Sequence, residues 1–201
     1  MSARLLPEQI RFMQRMLCSA GCYSGPSNGV WSQAVDDAES KLQTIADQIA
    51  DDLGRFDGRS ERCICTLHPK AQRAARQFLN TLRDNGIDAR IISGTRTYDE
   101  QEALWRRGRF GDSSPRVTNA RAGHSNHNFG VAWDIGLFAA GKYLTTQKPY
   151  KEAAAHRPAG VEWGGDWATF RDPPHYQLAL GGANIADIRT RFERGEPFVT
   201  V

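Results

Sequence analysis

Nowhere in the 201 residues does an apolar run approach the roughly 18 needed to span a bilayer, so no membrane insertion is expected. The opening segment, Met1 to Glu8, lacks the apolar core of a secretory signal, which places synthesis in the cytoplasm without export by that route. Charge of one sign is also scarce: 26 basic against 23 acidic side chains leave +3, too little for a nucleic-acid partner but weakly helpful at an anionic polymer surface. Cysteine is limited to Cys18 with Cys22 and Cys63 with Cys65, and neither pair has the gap of a zinc ribbon. Buried free thiols are expected; a zinc knuckle supplemented by His68 is the alternative. What remains, 24% charged residues and a mean hydropathy of -0.56, is the profile of a soluble chain with one ordinary domain and a small module.

Chemistry concentrates in Ser125-Asn126-His127-Asn128-Phe129-Gly130-Val131-Ala132-Trp133-Asp134 and, about 40 positions later, in Asp172-Pro173-Pro174-His175. Two imidazoles and one carboxylate leave a divalent zinc with an open fourth position, as catalytic zinc requires. His127, Asp134 and His175 are the expected ligands of one Zn2+ ion. Val131 to Leu137 reads as a buried strand entered at Gly130, which lets a loop histidine and a strand aspartate converge. In the second stretch each proline disfavours helix in its predecessor, predicting an extended, polyproline-like run with Asp172 and His175 pointing the same way. Asp172 is then the candidate general base. Two histidines and a carboxylate also suit a non-haem iron oxygenase, but that class sets its first histidine and carboxylate much closer than the seven positions seen here.

Along the chain, residues 4 to 20 carry Leu5, Ile10, Met13, Met16 and Leu17 at helical spacing, stopped by Gly21. A glycine-rich turn to Trp31 precedes a long helix from Ser32, with an apolar stripe of Val35, Ala38, Leu42, Ile45, Ile49 and Leu53. Gly54 to Cys65 is polar and is taken as the boundary, giving a helical module over residues 1–58 and a second domain over 59–201. That domain is expected to run helix (His68 to Asn85), strand (Ile87 to Ile92), helix (Tyr98 to about Arg107) and loop (Gly108 to Gly123). A short helix over Lys148 to His156, a tight aromatic turn over Gly160 to Trp167, a strand at Tyr176 to Leu178 and a final helix follow. The pattern is α+β, with a small antiparallel sheet flanked by helices and preceded by a small all-helical module.

In the N-terminal stretch Gln14, Leu17, Gly21-Cys22-Tyr23-Ser24-Gly25-Pro26 and Asn28-Gly29-Val30-Trp31 resemble the three-helix peptidoglycan-binding domain of wall hydrolases. The family pattern usually has Asp-Gly at 28–29 and Gly at 32. Tyr23 and Trp31 are the candidate wall-binding aromatics, with a core role as the alternative.

The second domain resembles the zinc L-alanyl-D-glutamate peptidases of bacterial cell-wall enzymes and phage endolysins, relatives of the D-alanyl-D-alanine carboxypeptidases. Ser93-Gly94-Thr95-Arg96, Val117-Thr118-Asn119-Ala120, Gly123 to Gly130, Ala132-Trp133-Asp134, Glu162 to Trp167 and Asp172 to His175 carry the likeness in order. The resemblance implies a D,D-peptidase/hedgehog-like sheet, His127, Asp134 and His175 as zinc ligands, and Asp172 as catalytic base. It adds Arg96 as a catalytic and substrate-binding guanidinium for an oxyanion or carboxylate, and Ser125 as a substrate-binding donor. A surface ion pair and a turn serine are the plainer roles for those two. Thr95 and His124 depart from the family pattern; a fourth ligand at His124 would close the open site. Trp163 and Trp167 are read as core before sugar-stacking, and Asp166 as a turn residue.

The implied activity is hydrolysis of the L-Ala to D-Glu bond of bacterial peptidoglycan, as a monomeric phage endolysin made in the host cytoplasm and acting on the wall in the periplasm. D,D-carboxypeptidase or dipeptidase action on the same polymer is the enzymatic alternative, and a non-catalytic wall-binding protein the other.

Overall fold

The computed structural model describes residues 5–199. Met1 to Arg4, which open the segment read for an export signal and the first helical pattern, lie outside the described residues. The chain forms two compact units: one takes the N-terminal part up to residue 44, 96–129 and the part from 180 onward, the other 45–95 and 130–179.

The first unit contains α1 (Pro7–Ser19), the beginning of α2 (Gln33–Leu53), α5 (Tyr98–Arg106) and α7 (Ile185–Glu193). Leu17, Val35 and Ala38 form a small core, with Met13, Cys22, Tyr23 and Leu42 packed on it. Buried Gln14 holds the α1–α2 turn: its Oε1 accepts from Gly29 N at 2.9 Å and its Nε2 donates to Val30 O at 2.9 Å. Gly29 sits at φ +76°, and a Cβ there would lie 2.5 Å from Pro7 O, so the Asn-Gly step is a backbone requirement. A second cluster stacks Phe12 and Phe129 edge-on against Phe192, at 5.6 and 5.3 Å between ring centres.

The second unit is the sheet domain. It holds the rest of α2, then α3 (Gly58–Ile64), α4 (Pro69–Asp84), β1 (Asp88–Ser93), β2 (Ala132–Ala139), β3 (Lys142–Tyr143), α6 (Gln147–Ala154), β4 (Val161–Trp163) and β5 (His175–Leu178). The strands are antiparallel in the order β1-β2-β5-β4, with β3 added to β2. Alternation decides what each face carries. Trp133, Ile135 and Leu137 of β2, Tyr176 and Leu178 of β5 and Val161 and Trp163 of β4 join the core with Ala71, Ala75, Phe78 and Leu82 of α4. The intervening positions, Asp134, His175, Gln177 and Glu162, are thereby turned to the opposite face.

Several elements depart from expectation. The polar stretch over 54–65 contains α3, capped by Asp57, whose carboxylate accepts from Arg59 N and Ser60 N. Glu61 of α3 forms a two-armed pair with Arg76 of α4, both arms at 2.7 Å, and Arg76 also donates to Gly54 O at 2.8 Å. Gly160 to Trp167 supplies strand β4 as well as a turn. All four cysteines are free as expected, but Cys65 is exposed and Cys22 and Cys63 half-buried, so only Cys18 is a buried thiol. A short α3 ending at the chain surface leaves Cys65 nothing to pack beneath.

Candidate metal centre

Sheet register brings the first two donors together. Asp134 of β2 and His175 of β5 are directly opposed across the ladder, on the face away from α4. On the core face the neighbouring rung pairs Trp133 with Tyr176, whose rings stack at 6.5 Å, and this apolar pair fixes the alignment. Asp134 Oδ1 lies 3.3 Å from His175 Nδ1. His127 stands in the 3-10 turn Asn126–Phe129 and is 1% exposed. One ligand atom from each of His127, Asp134 and His175 lies within 4.8 Å of the others. Two buried imidazoles and a half-buried carboxylate at that spacing fit one divalent zinc and leave a coordination position for substrate or water.

The hydrogen bonds behind His175 fix which nitrogen is available. Glu162 Oε2 can only accept, so Gln177 presents its Nε2 to it at 2.8 Å and turns its amide oxygen to His175 Nε2 at 3.0 Å. That oxygen requires a proton on Nε2, which leaves the Nδ1 lone pair on the side of Asp134. Burial works against the charged form of His175, but the hydrogen bond and charge of Asp134, Gln177 and the charge of Asp172 outweigh it and hold the imidazole above its ordinary value.

Asp172 is not on the extended, polyproline-like run that the sequence predicts. His175 N donates to Asp172 O at 3.1 Å, closing a turn over Pro173 and Pro174. Proline suits the first central position of a turn, and the closing donor belongs to His175, so the lost proline N–H costs nothing. Asp172 N in turn donates to Gly164 O at 3.1 Å, and a Cβ on Gly164 would meet Asp172 O at 2.6 Å. The Asp172 side chain is half-buried.

Arg96 follows β1, and its backbone N donates to His127 O at 3.0 Å. Its Nη1 donates to Gln101 Oε1 at 2.9 Å, and buried Gln101 is held through Nε2 to Ala120 O at 2.8 Å. Asn128, fully buried, donates to Arg96 O at 2.9 Å and Thr97 O at 3.2 Å and accepts from Gly123 N at 3.0 Å. Ser125 is half-buried, and its backbone carbonyl accepts from Asn128 N at 2.9 Å. His124 is outside the donor group and its Nε2 meets Arg189 Nη1 at 2.8 Å. Thr95 is tied to Thr66, its Oγ1 donating to Thr66 O at 2.5 Å. Trp163 is core, its indole N–H on Pro173 O at 2.7 Å, while half-buried Trp167 packs its ring 4.9 Å from that of His175.

In the first unit Trp31 is exposed, its Nε1 donating to Asp36 Oδ1 at 2.8 Å, and Tyr23 leans on the small core. Sequence reasoning missed Gln177, Glu162, Gln101 and Asn128. Once β5 is assigned, period-two alternation alone puts Gln177 beside His175; the other three depend on pairings distant in sequence.

A family model described as D-alanyl-D-alanine carboxypeptidase (VanY) matches residues 65–159. The peptidoglycan L-alanyl-D-glutamate endopeptidase CwlK of Bacillus subtilis (strain 168) is 32% identical over 123 residues, 56% of this chain and 73% of that protein. The L-alanyl-D-glutamate peptidase of Listeria phage A118 is 31% identical over 132 residues, 63% of this chain but only 43% of that protein. The crystal structure of the Serratia marcescens L-Ala D-Glu endopeptidase ChiX aligns with a TM-score of 0.49 and 30% identity, over 63% of this chain and 91% of that one. With the donor group in place, the family match and the likeness to CwlK define a metallopeptidase. The chain belongs to the VanY family of D-alanyl-D-alanine carboxypeptidases and their L-alanyl-D-glutamate peptidase relatives.

Proposed function

We propose that this chain is a zinc-dependent endopeptidase cleaving the L-Ala to D-Glu bond in the stem peptide of peptidoglycan. The observation that carries the reading is the gathering of His127, Asp134 and His175 in a chain whose curated relatives are named for that bond. His127, Asp134 and His175 would hold the ion, and zinc supplies there a Lewis acid that polarises a carbonyl and acidifies water. Asp172 takes the proton of the attacking water and returns it to the leaving amine. Arg96, braced by Gln101, offers planar N–H donors to the oxygen that gains charge. Ser125 donates to the bound peptide.

The N-terminal module, residues 1–58, holds the enzyme on its polymeric substrate, with Trp31 and then Tyr23 as contact aromatics. Retention of the full chain and of Trp31→Ala on purified sacculi tests this; equal retention removes Trp31 from the role. The biological setting that fits is a monomeric phage endolysin, made in the host cytoplasm and acting on the wall in the periplasm, without nucleic-acid or membrane partners. Among the described residues no helix is long and apolar enough to cross a membrane.

Digestion of sacculi with product identification decides the bond. New N-terminal D-Glu is expected, and release of D-Ala alone would establish carboxypeptidase action instead. Metal analysis should find one zinc per chain. Asp172→Ala should keep the metal and lose hydrolysis, and an Asp172→Ala chain that still cleaves would remove Asp172 as base.

A further inference from the structure

Beside the turn that carries Asp172 lies a cleft of about 470 Å³, within the range of small-ligand sites. Its walls carry three cations, Lys148 and Lys151 of α6 and Arg171. The two lysines are three positions apart and share one helix face. The acid on the wall, Asp166, is engaged by Arg157 Nη2 at 3.2 Å. Lys148 has Glu152 at 3.9 Å, with both side chains well exposed, a pair worth little in water. With three cations against the one acid, Asp166, the cleft wall is net positive. Trp163 and Pro173 supply an apolar floor, fastened by the 2.7 Å bond from the indole N–H to Pro173 O. Arg171 immediately precedes Asp172, and Pro173 stands between Asp172 and His175.

We propose that this cleft is a subsite for the free carboxylates of the stem peptide. The inference rests on the stem-peptide reading above. Carboxylates match the site on three counts. A guanidinium can take one through two parallel bonds, the lysines add point charges, and the floor accepts the methylenes that carry such groups. Cations left in water until substrate arrives cost nothing in desolvation beforehand, so the site adds to recognition without straining the free protein.

The test uses the full zinc-loaded chain and two probes: a stem tetrapeptide with free carboxylates and the same peptide fully amidated. Binding is measured by calorimetry in the Asp172→Asn background, and kcat and KM with Asp172 intact. The intact cleft should favour the free acid, and Lys151→Ala with Arg171→Ala should raise its Kd and KM about tenfold with kcat within about twofold. The same double variant should leave the amidated peptide unaffected, and Lys151→Arg should restore the preference. Equal binding of both peptides by the intact cleft, no binding of either, or an undiminished preference in the double variant would overturn the proposal. If the chain fails to cleave either peptide, the cleavage reading has failed, while the calorimetric preference still judges the cleft. Tighter binding of a soluble phosphodiester wall polymer than of the free-acid peptide, lost in the double variant, would reassign the cleft to that polymer and overturn the carboxylate subsite.

Discussion

Gln177→Leu should weaken metal binding without touching a ligand. In the intact protein the Gln177 amide oxygen lies 3.0 Å from His175 Nε2 and keeps the proton there, so Nδ1 faces the donor group as a lone pair. Leucine removes that acceptor, and with it the bond that favours the proton on Nε2. Glu162, Gln177's other partner, is exposed and stays hydrated, so no buried charge is stranded and the change isolates the imidazole. Losing one such bond costs on the order of 1.5 kcal/mol, and partners of this kind change metal affinity by about 10- to 100-fold. Competition for zinc against a chromophoric chelator at neutral pH reads the change directly. An unaltered zinc Kd in a folded Gln177→Leu protein would refute the tautomer argument, whatever happened to activity.

Other consequences are open to simple measurement. Zinc affinity should fall as pH drops through the raised pKa of His175, because proton and metal compete for the ring; a Kd that stays flat from mildly alkaline to mildly acidic pH would contradict it. In the metal-free protein the sign is reversed: the raised pKa adds stability fully present below the unfolded value and lost as pH rises through the folded one. Glu61→Ala strips Arg76, 2% exposed, of both 2.7 Å arms and leaves it Gly54 O, so unfolding free energy should fall by about 3–5 kcal/mol in urea titration. A loss below about 1 kcal/mol would mean that Arg76 finds water. Gly164→Ala should displace the Asp172 turn, since the new Cβ would stand 2.6 Å from a backbone oxygen, lowering activity and costing about 1–3 kcal/mol of stability. Wild-type kinetics in that variant would show that the turn gives way freely.

The parts legible in sequence are those with a short-range signal. α4 was readable from Ala71, Ala75, Phe78, Leu79 and Leu82 at helical spacing, and β2 from its apolar run around Asp134. The donor types at 127, 134 and 175 carry their chemistry in their identity, so the group could be named before its geometry was known. α3 has seven residues, too few for a periodic pattern, and announces itself only through the Asp57 cap. Arg76 looks like a solvent-facing charge on a helix until Glu61, fifteen positions earlier, is folded against it. Pro173-Pro174 predicts an extended run from local preference alone, and the bond from His175 N to Asp172 O closes a turn there instead.

Because Asp134 and His175 share one rung, strand alignment and metal geometry are a single variable. Sliding β2 by one residue would carry Asp134 to the side now held by Trp133 and send an indole toward the ligand face. Such a chain keeps nearly all its backbone hydrogen bonds but cannot gather the donors. Metal loading would therefore proofread the ladder: at a free concentration about a thousandfold above Kd it would favour the aligned sheet by about 4 kcal/mol, and a slipped one not at all.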